Sequence, residues 1–133
     1  MSSDTMVQAN MNLNININID INDIIKSCQQ PGRAETVQSV LWTLDSQLQQ
    51  QRKGHLNILI LNLSQAQRCN KAFAESYWFG NFHWTQGFDA CTFGVWIFST
   101  GWIDHTHEDG GYINWAFTGG KRSGEGGGYV EWK

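Results

Sequence analysis

The sequence predicts a mainly β fold, similar to a β-sandwich, with about six strands and one amphipathic packing helix. Three patterns predict it. Polar and apolar residues alternate with a period of two near the start, apolar residues recur at helical spacing near residues 34–53, and short aromatic segments alternate with glycine from residue 56 to residue 133. Side chains alternate between the two faces of a strand, whereas a helix returns to the same face every three or four residues.

The composition limits the classes of function. With 133 residues and a net charge of −3, we expect a single domain, and the few dispersed Lys and Arg residues exclude nucleic acid as a partner. The start of the chain has no secretory signal pattern, which predicts a cytoplasmic protein, with leaderless export as the open alternative. Cys28, Cys69 and Cys91 are too far apart for a paired-cysteine zinc motif and are expected to be small buried residues.

The first pattern predicts one long strand. After a flexible tail at residues 1–6, Asn or Asp alternates with Met, Leu and Ile, so a strand over residues 7–25 would have an aliphatic face and a carboxamide face. The carboxamide face is either solvated in the protein's own sheet or paired with a second copy, because stacked Asn side chains can hydrogen-bond in ladders. The residues expected to mediate this self-association are Asn12, Leu13, Asn14, Ile15, Asn16, Ile17, Asn18 and Ile19.

The second pattern predicts the helix. It follows a turn at Pro31 and Gly32 and is expected over residues 34–53, with Gly54 as its C-cap. Its apolar face, which we expect to pack across the protein's own sheet, consists of Ala34, Val37, Leu41, Leu44 and Leu48.

The third pattern predicts the remaining strands. Residues 56–63 are apolar on both faces, which is typical of a central strand covered on both sides, and residues 64–76 are predicted to be a connection. Apart from Trp42, every aromatic residue lies between Phe73 and Trp132. Strands are predicted near residues 77–84, 92–100, 112–118 and 129–132.

The aromatic residues are the first candidates for ligand binding. A small domain does not easily bury seven tryptophans, and exposed rings can stack on sugars or lie at a lipid interface. Rings at strand ends beside glycine or polar turns are the most favourably placed to be exposed and to bind a ligand. The expected ligand-binding residues are Trp84, Trp102 and Tyr112, with Asn114 on the same strand face as Tyr112.

The acidic segment 104–109 is a second candidate. His105 and His107 would share one face of an extended backbone, and together with Asp104 or Asp109 they could bind zinc or another divalent metal. The alternative is a solvated hairpin tip, because the segment is acidic and ends in Gly110 and Gly111. No other cofactor is expected. Neither a nucleophile turn nor a phosphate-binding loop is recognisable, so we expect a protein that is not an enzyme.

The order of motifs in residues 56–133 resembles a known type of protein. An apolar strand ending in Asn-Leu-Ser is followed by Tyr-Trp-Phe-Gly, then by Phe-Gly-Val-Trp-Ile-Phe, an acidic loop, Gly-Gly-Tyr-Ile-Asn-Trp-Ala-Phe and Gly-Tyr-Val-Glu-Trp. This order resembles the small aromatic-rich β-sandwich proteins of the aegerolysin and actinoporin-like cytolysin type. The resemblance implies a β-sandwich that binds membrane lipids or sugars. It does not assign a binding role to any residue of this sequence.

These observations together predict a non-enzymatic, self-associating protein that recognises carbohydrate or lipid-headgroup surfaces. Its expected partners are further copies of itself, glycans and membrane lipids. Two alternatives stay open. One is a structural homo-oligomer or filament assembled through the Asn/Ile strand, and the other is a metal-binding protein or hydrolase that uses His105 and His107.

Overall fold

A computed structural model describes the backbone of residues 8–10 and, in full, residues 16–74, 76–108 and 111–133. In chain order, the elements are β1 (Gln8–Asn10), α1 (Ile21–Cys28), α2 (Arg33–Gln50), β2 (Asn57–Asn62), α3 (Leu63–Ala66), β3 (Asn70–Phe73), β4 (Tyr77–Gln86), β5 (Asp89–Phe98), β6 (Gly101–Asp104), β7 (Trp115–Phe117), β8 (Lys121–Ser123), a 3₁₀ turn (Glu125–Gly127) and β9 (Tyr129–Trp132). The predicted mainly β fold with a packing helix is confirmed.

The strands form two antiparallel sheets. The larger sheet has the order β1-β4-β5-β2-β7, and the smaller one has the order β3-β6-β9-β8. β4 and β5 form a hairpin that turns at Gly87, where φ is +62°. β2 pairs with both β5 and β7, so the predicted central strand is confirmed.

A first hydrophobic core lies between the helices and the larger sheet. The α2 residues Val37, Val40, Leu44 and Leu48 are fully buried there together with Ile58 of β2. The predicted helix therefore exists and packs on the protein's own sheet. It ends earlier than expected, because Arg52 rather than Gly54 adopts the left-handed conformation, with φ of +60°.

A second core lies between the two sheets. Side chains from the opposite face of the larger sheet, including Leu59, Leu61 and Trp96, pack there against Ile103 and Val130 of the smaller sheet. The described part of the chain is thus layered as helices, larger sheet and smaller sheet. None of its helices has the length and apolar character that crossing a bilayer requires.

The long strand predicted over residues 7–25 is wrong in its described part after β1. Residues 16–20 have no regular secondary structure and helix α1 begins at Ile21. The side chain of Asp20 accepts a hydrogen bond from the N–H of Asp23 at 3.3 Å and caps the helix. Ile21, Ile24 and Cys28 follow at helical spacing and are buried, so burial of this face overrides the preceding alternation.

The predicted self-association residues fall into two groups. Asn12, Leu13, Asn14 and Ile15 lie outside the described residues. Of the others, Asn16 is exposed, Ile17 packs partly buried against the first core, and Ile19 is only 3% exposed within it. The backbone of Asn18 exchanges two hydrogen bonds with the side chain of Gln51, at 2.9 and 2.7 Å. The assignment of Ile17 and Ile19 to a self-association surface is therefore wrong, because they pack within their own chain, whereas that of Asn16 and Asn18, whose side chains are exposed, stays a prediction.

The smaller sheet is the part of the fold that the sequence predicted least well. β3 lies in the segment expected to be a connection, and neither β6 nor β8 was predicted as a strand of its own. The strand expected over residues 112–118 is limited to β7, because residues 111–114 form a turn in which the N–H of Asn114 donates to the carbonyl of Gly111 at 3.0 Å.

Candidate functional site

The outer face of the smaller sheet is the surface that turns away from the second core. Along β6 and β9, Ile103, Val130 and Trp132 are buried in that core, and the residues between them must project outwards. The outer face therefore consists of Asn70, Ala72, Trp102, Asp104, Lys121, Ser123, Tyr129 and Glu131.

Two aromatic rings lie side by side in the middle of the outer face. Trp102 and Tyr129 are both partly exposed, and their rings stack with centroids 6.0 Å apart and planes inclined by 20°. They occupy diagonal positions on neighbouring strands, from which long side chains can contact each other. Because all other members of this face except Ala72 are polar, the pair forms an isolated apolar platform.

Polar side chains flank this platform in register. Glu131 is directly opposite Trp102 on one side and Lys121 on the other, while Tyr129 is opposite Asp104 and Ser123. Neighbouring strands are about 4.8 Å apart, so each ring has hydrogen-bonding groups one strand spacing away.

A hollow of about 420 Å³ opens beside the rings. It is lined by Gly120, Lys121, Ser123, Glu131 and Lys133. The hollow shares Lys121, Ser123 and Glu131 with the outer face, so the platform and the hollow form one continuous surface. This surface offers ring faces for stacking, ammonium donors and a carboxylate acceptor.

The Asp104 side chain is oriented by hydrogen bonds at the end of β6, on the outer face. The Thr106 hydroxyl donates to its Oδ1 at 2.6 Å and the Thr106 N–H donates to the same oxygen at 3.1 Å. These two hydrogen bonds lower the pKa of the Asp104 carboxyl below its ordinary value.

The four expected ligand-binding residues lie in different parts of the structure. Trp102 is on the outer face, as described. Trp84 is only 3% exposed, and its Nε1 donates to the carbonyl of Gln30 at 3.2 Å, so its assignment as an exposed binding ring is wrong. The reason is that this end of the β4–β5 hairpin is covered by the connection between α1 and α2.

Tyr112 and Asn114 lie in the 111–114 turn, away from the outer face. The Tyr112 side chain is 42% exposed. Asn114 is buried, and its Oδ1 accepts a hydrogen bond from Asn62 Nδ2 at 3.1 Å. Burial excludes Asn114 from direct contact with a ligand and gives it the role of fixing the turn to β2.

The groove next to this turn is lined by side chains that contact one another. It is a hollow of about 200 Å³ lined in part by Tyr112, Trp115, Phe117 and Arg122. The Arg122 guanidinium lies 5.3 Å from the Trp115 ring centre and 4.8 Å from that of Phe117. His105 stacks on Trp115 at 4.1 Å. These internal contacts cover part of both rings, so the groove is less suited to stacking by a ligand than the outer face.

The three predicted metal ligands that the structure describes, His105, His107 and Asp104, do not form a cluster that could hold a metal ion. His105 is 2% exposed and its Nε2 is 2.7 Å from Oε1 of Gln65, whereas His107 is exposed. Asp104 is bonded to Thr106, and Asp109 lies outside the described residues. Within the described ranges, no three His, Cys, Asp or Glu side chains are arranged to hold a metal ion.

Sequence reasoning missed Tyr129, Glu131, Lys121 and Ser123 as site residues. For β9 a signal was present, because Val130 and Trp132 alternate with Tyr129 and Glu131 in the predicted strand. For β8 there was none, because its side chains are all polar and exposed.

Comparisons with protein-family models, with curated proteins and with solved structures found no match for this chain. The resemblance of residues 56–133 to the aegerolysin and actinoporin-like cytolysins therefore stays a prediction.

Proposed function

We propose that the protein is a non-enzymatic carbohydrate-binding protein whose ligand lies on the outer face of the smaller sheet. The observation that carries this proposal is the stacked pair of Trp102 and Tyr129 on an otherwise polar sheet face. A pyranose ring has one face of C–H groups, which suits the negative π-face of an aromatic ring, and a rim of hydroxyls that need hydrogen-bond partners. Glu131, Ser123 and Lys121 are placed to supply those partners.

The charges beside the rings favour a sugar over a lipid headgroup. Asp104 and Glu131 both flank the platform, and the whole chain has a net charge of −3. Carboxylates accept hydrogen bonds from sugar hydroxyls, whereas an extended anionic bilayer that covers the rings would bring its charges against Asp104 and Glu131.

The test is glycan binding by tryptophan variants that differ in position. We expect binding on a glycan array, followed by calorimetric titration in which Trp102→Ala weakens the affinity about tenfold or more, because stacking is lost. Trp42→Ala is the matched control, since Trp42 is 56% exposed on α2, in the opposite layer.

Two outcomes would contradict the proposal. One is an array without any glycan signal at high protein concentration. The other is glycan binding that Trp102→Ala leaves unchanged, or that Trp42→Ala weakens equally, because the ligand would then lie elsewhere. Binding to phosphatidylserine vesicles that depends on Trp102, without glycan binding, would replace sugar by lipid as the ligand.

A further inference from the structure

We propose that the preferred glycan is acidic, and that Lys121 and Lys133 bind the anionic group of the sugar while its ring stacks on Trp102. The inference rests on the proposed carbohydrate function and adds the class of ligand. The anionic group is a carboxylate or a sulfate, since an ammonium group recognises both as a point charge.

The first support is the lining of the hollow beside the rings. Lys121 and Lys133 are both exposed and both line it, and Glu131 is its acidic member. Its lining side chains therefore carry two positive charges and one negative charge, in a chain whose net charge is −3. Positive side chains that line a hollow raise the local concentration of anionic ligands.

The second support is that no residue in the described part of the chain pairs with either ammonium group. Among the described residues, the ion pair within 4.0 Å is that of Arg68 with Glu108, so Glu131 does not neutralise Lys121 at contact distance. Lys71 of the same sheet is different, because its Nζ donates to the carbonyl of Ala66 at 2.7 Å. The lysines of the hollow thus keep their donors for a ligand.

The third support is the order of groups across the sheet. Trp102, Glu131 and Lys121 occupy directly opposed positions on three adjacent strands, so Trp102 and Lys121 are about 10 Å apart, two strand spacings. Glu131 stands between them and can accept hydrogen bonds from hydroxyls, but it repels an anionic substituent. A sugar stacked on Trp102 is therefore oriented with its anionic group towards Lys121 and Lys133.

The experiment compares an acidic oligosaccharide with its neutral counterpart. Oligogalacturonate and the same oligosaccharide after reduction of its carboxyl groups are titrated into the wild-type protein, and a sulfated galactan is paired with its desulfated form in a second arm. We expect at least one acidic member to bind about tenfold more tightly at low salt, since two exposed charge contacts supply an effect of that size. The preference should decrease with added NaCl because of screening.

The lysine variants identify the source of this preference. The double variant Lys121→Gln, Lys133→Gln should bind the acidic and the neutral form with equal affinity, whereas Lys121→Arg, Lys133→Arg should retain the preference. Lys26→Gln, which changes an exposed lysine on α1, should have no effect. Circular dichroism checks that each variant is folded.

The outcomes separate this inference from the function on which it rests. Equal affinity of the wild type for the acidic and neutral forms overturns the inference and leaves the carbohydrate function intact. A preference that survives in the double Gln variant also overturns it. The absence of binding to every glycan overturns the carbohydrate function itself.

Discussion

His105 and His107 are two residues apart, but only His105 is inside the protein. His105 Nε2 is 2.7 Å from Gln65 Oε1, and its ring stacks on Trp115. We predict that His105→Ala lowers the free energy of unfolding by about 2–3 kcal/mol, because a buried hydrogen bond and a ring contact are lost together. His107→Ala, at an exposed position, should change it by less than about 0.5 kcal/mol.

Urea denaturation of both histidine variants measures this difference. Equal effects would contradict the structural role given to His105. Metal that co-purifies with the wild type in stoichiometric amount and is lost equally in both variants would restore the predicted metal site.

Trp84 and Trp102 show what the sequence could and could not predict about single residues. Both lie in or beside predicted strands near glycine or polar turns, and the local pattern ranks them equally. Trp84 is buried because the distant connection at Gln30 covers it, whereas Trp102 is partly exposed. Such coverage depends on contacts between residues far apart in sequence, and no local pattern contains that information.

At the scale of elements, the C-terminus of α2 gives a second prediction. Arg52 has a φ of +60°, and the N–H of Lys53 closes the helix by donating to the carbonyl of Leu48 at 2.7 Å. A left-handed conformation costs a residue with a Cβ roughly 1 kcal/mol. Arg52→Gly should therefore raise the free energy of unfolding by about 1 kcal/mol, measured by urea denaturation.

Gly54→Ala is the control for this cap. Gly54 was the cap predicted from sequence, but it is not among the glycines with positive φ, and an added Cβ would meet Gln49 Cγ at an acceptable 3.4 Å. We expect a change below about 0.5 kcal/mol. A large loss in Gly54→Ala together with a loss in Arg52→Gly would mean that the helix ends at Gly54 after all.

Helix α1 explains why the most regular sequence pattern was misleading. The alternation of Asn and Ile includes Ile19 and Ile21. Both residues are buried in the first core, but Ile19 lies just before α1 and Ile21 is its first residue, and neither is in a strand. The helix signals were present as Asp20 at the cap, Asp23 in the first turn and Lys26 in the last turn. These helix signals are less conspicuous in the sequence than the period of two, but they agree with the burial of one face of α1.

A pair of substitutions tests this correction. Ile19→Lys should lower the free energy of unfolding by about 3 kcal/mol or more, because it places a charge in the first core. Asn16→Lys, at an exposed position, should leave both the stability and the particle size measured by light scattering unchanged. Large wild-type particles that Asn16→Lys dissolves would instead support the Asn ladder between copies.

For the molecule as a whole, the sequence predicted the larger sheet better than the smaller one. β2, β4 and β5 are long and carry apolar side chains on both faces, so their composition alone marks them as strands. β3 and β8 are short, and their exposed positions are mostly polar. They are strands because β6 and β9 offer them backbone partners. The candidate site lies on this smaller sheet, which is why Trp102 was the only one of its residues predicted to bind a glycan or lipid.

The stability of the whole molecule should depend on pH through the contact between the turn after α3, at Arg68, and the segment after β6, at Glu108. Arg68 donates to Glu108 from Nε at 3.0 Å and from Nη2 at 2.7 Å. Hydrogen bonding by Arg68 is the main cause that lowers the pKa of the Glu108 carboxyl. A carboxyl whose pKa is lower in the folded than in the unfolded state stabilises the fold fully above its unfolded pKa. That stabilisation is lost as the pH falls through the folded pKa.

We therefore predict that the urea midpoint of the wild type decreases as the pH falls from about 5 to about 2.5, and that Glu108→Gln makes this decrease smaller. The two proteins should differ at pH 7 and converge in acid, because protonation removes the same charge that the substitution removes. Arg68→Ala should flatten the curve in a similar way, since the carboxyl then loses the partner that lowers its pKa. Parallel curves for the wild type and Glu108→Gln over this range would show that the contact does not couple folding to protonation.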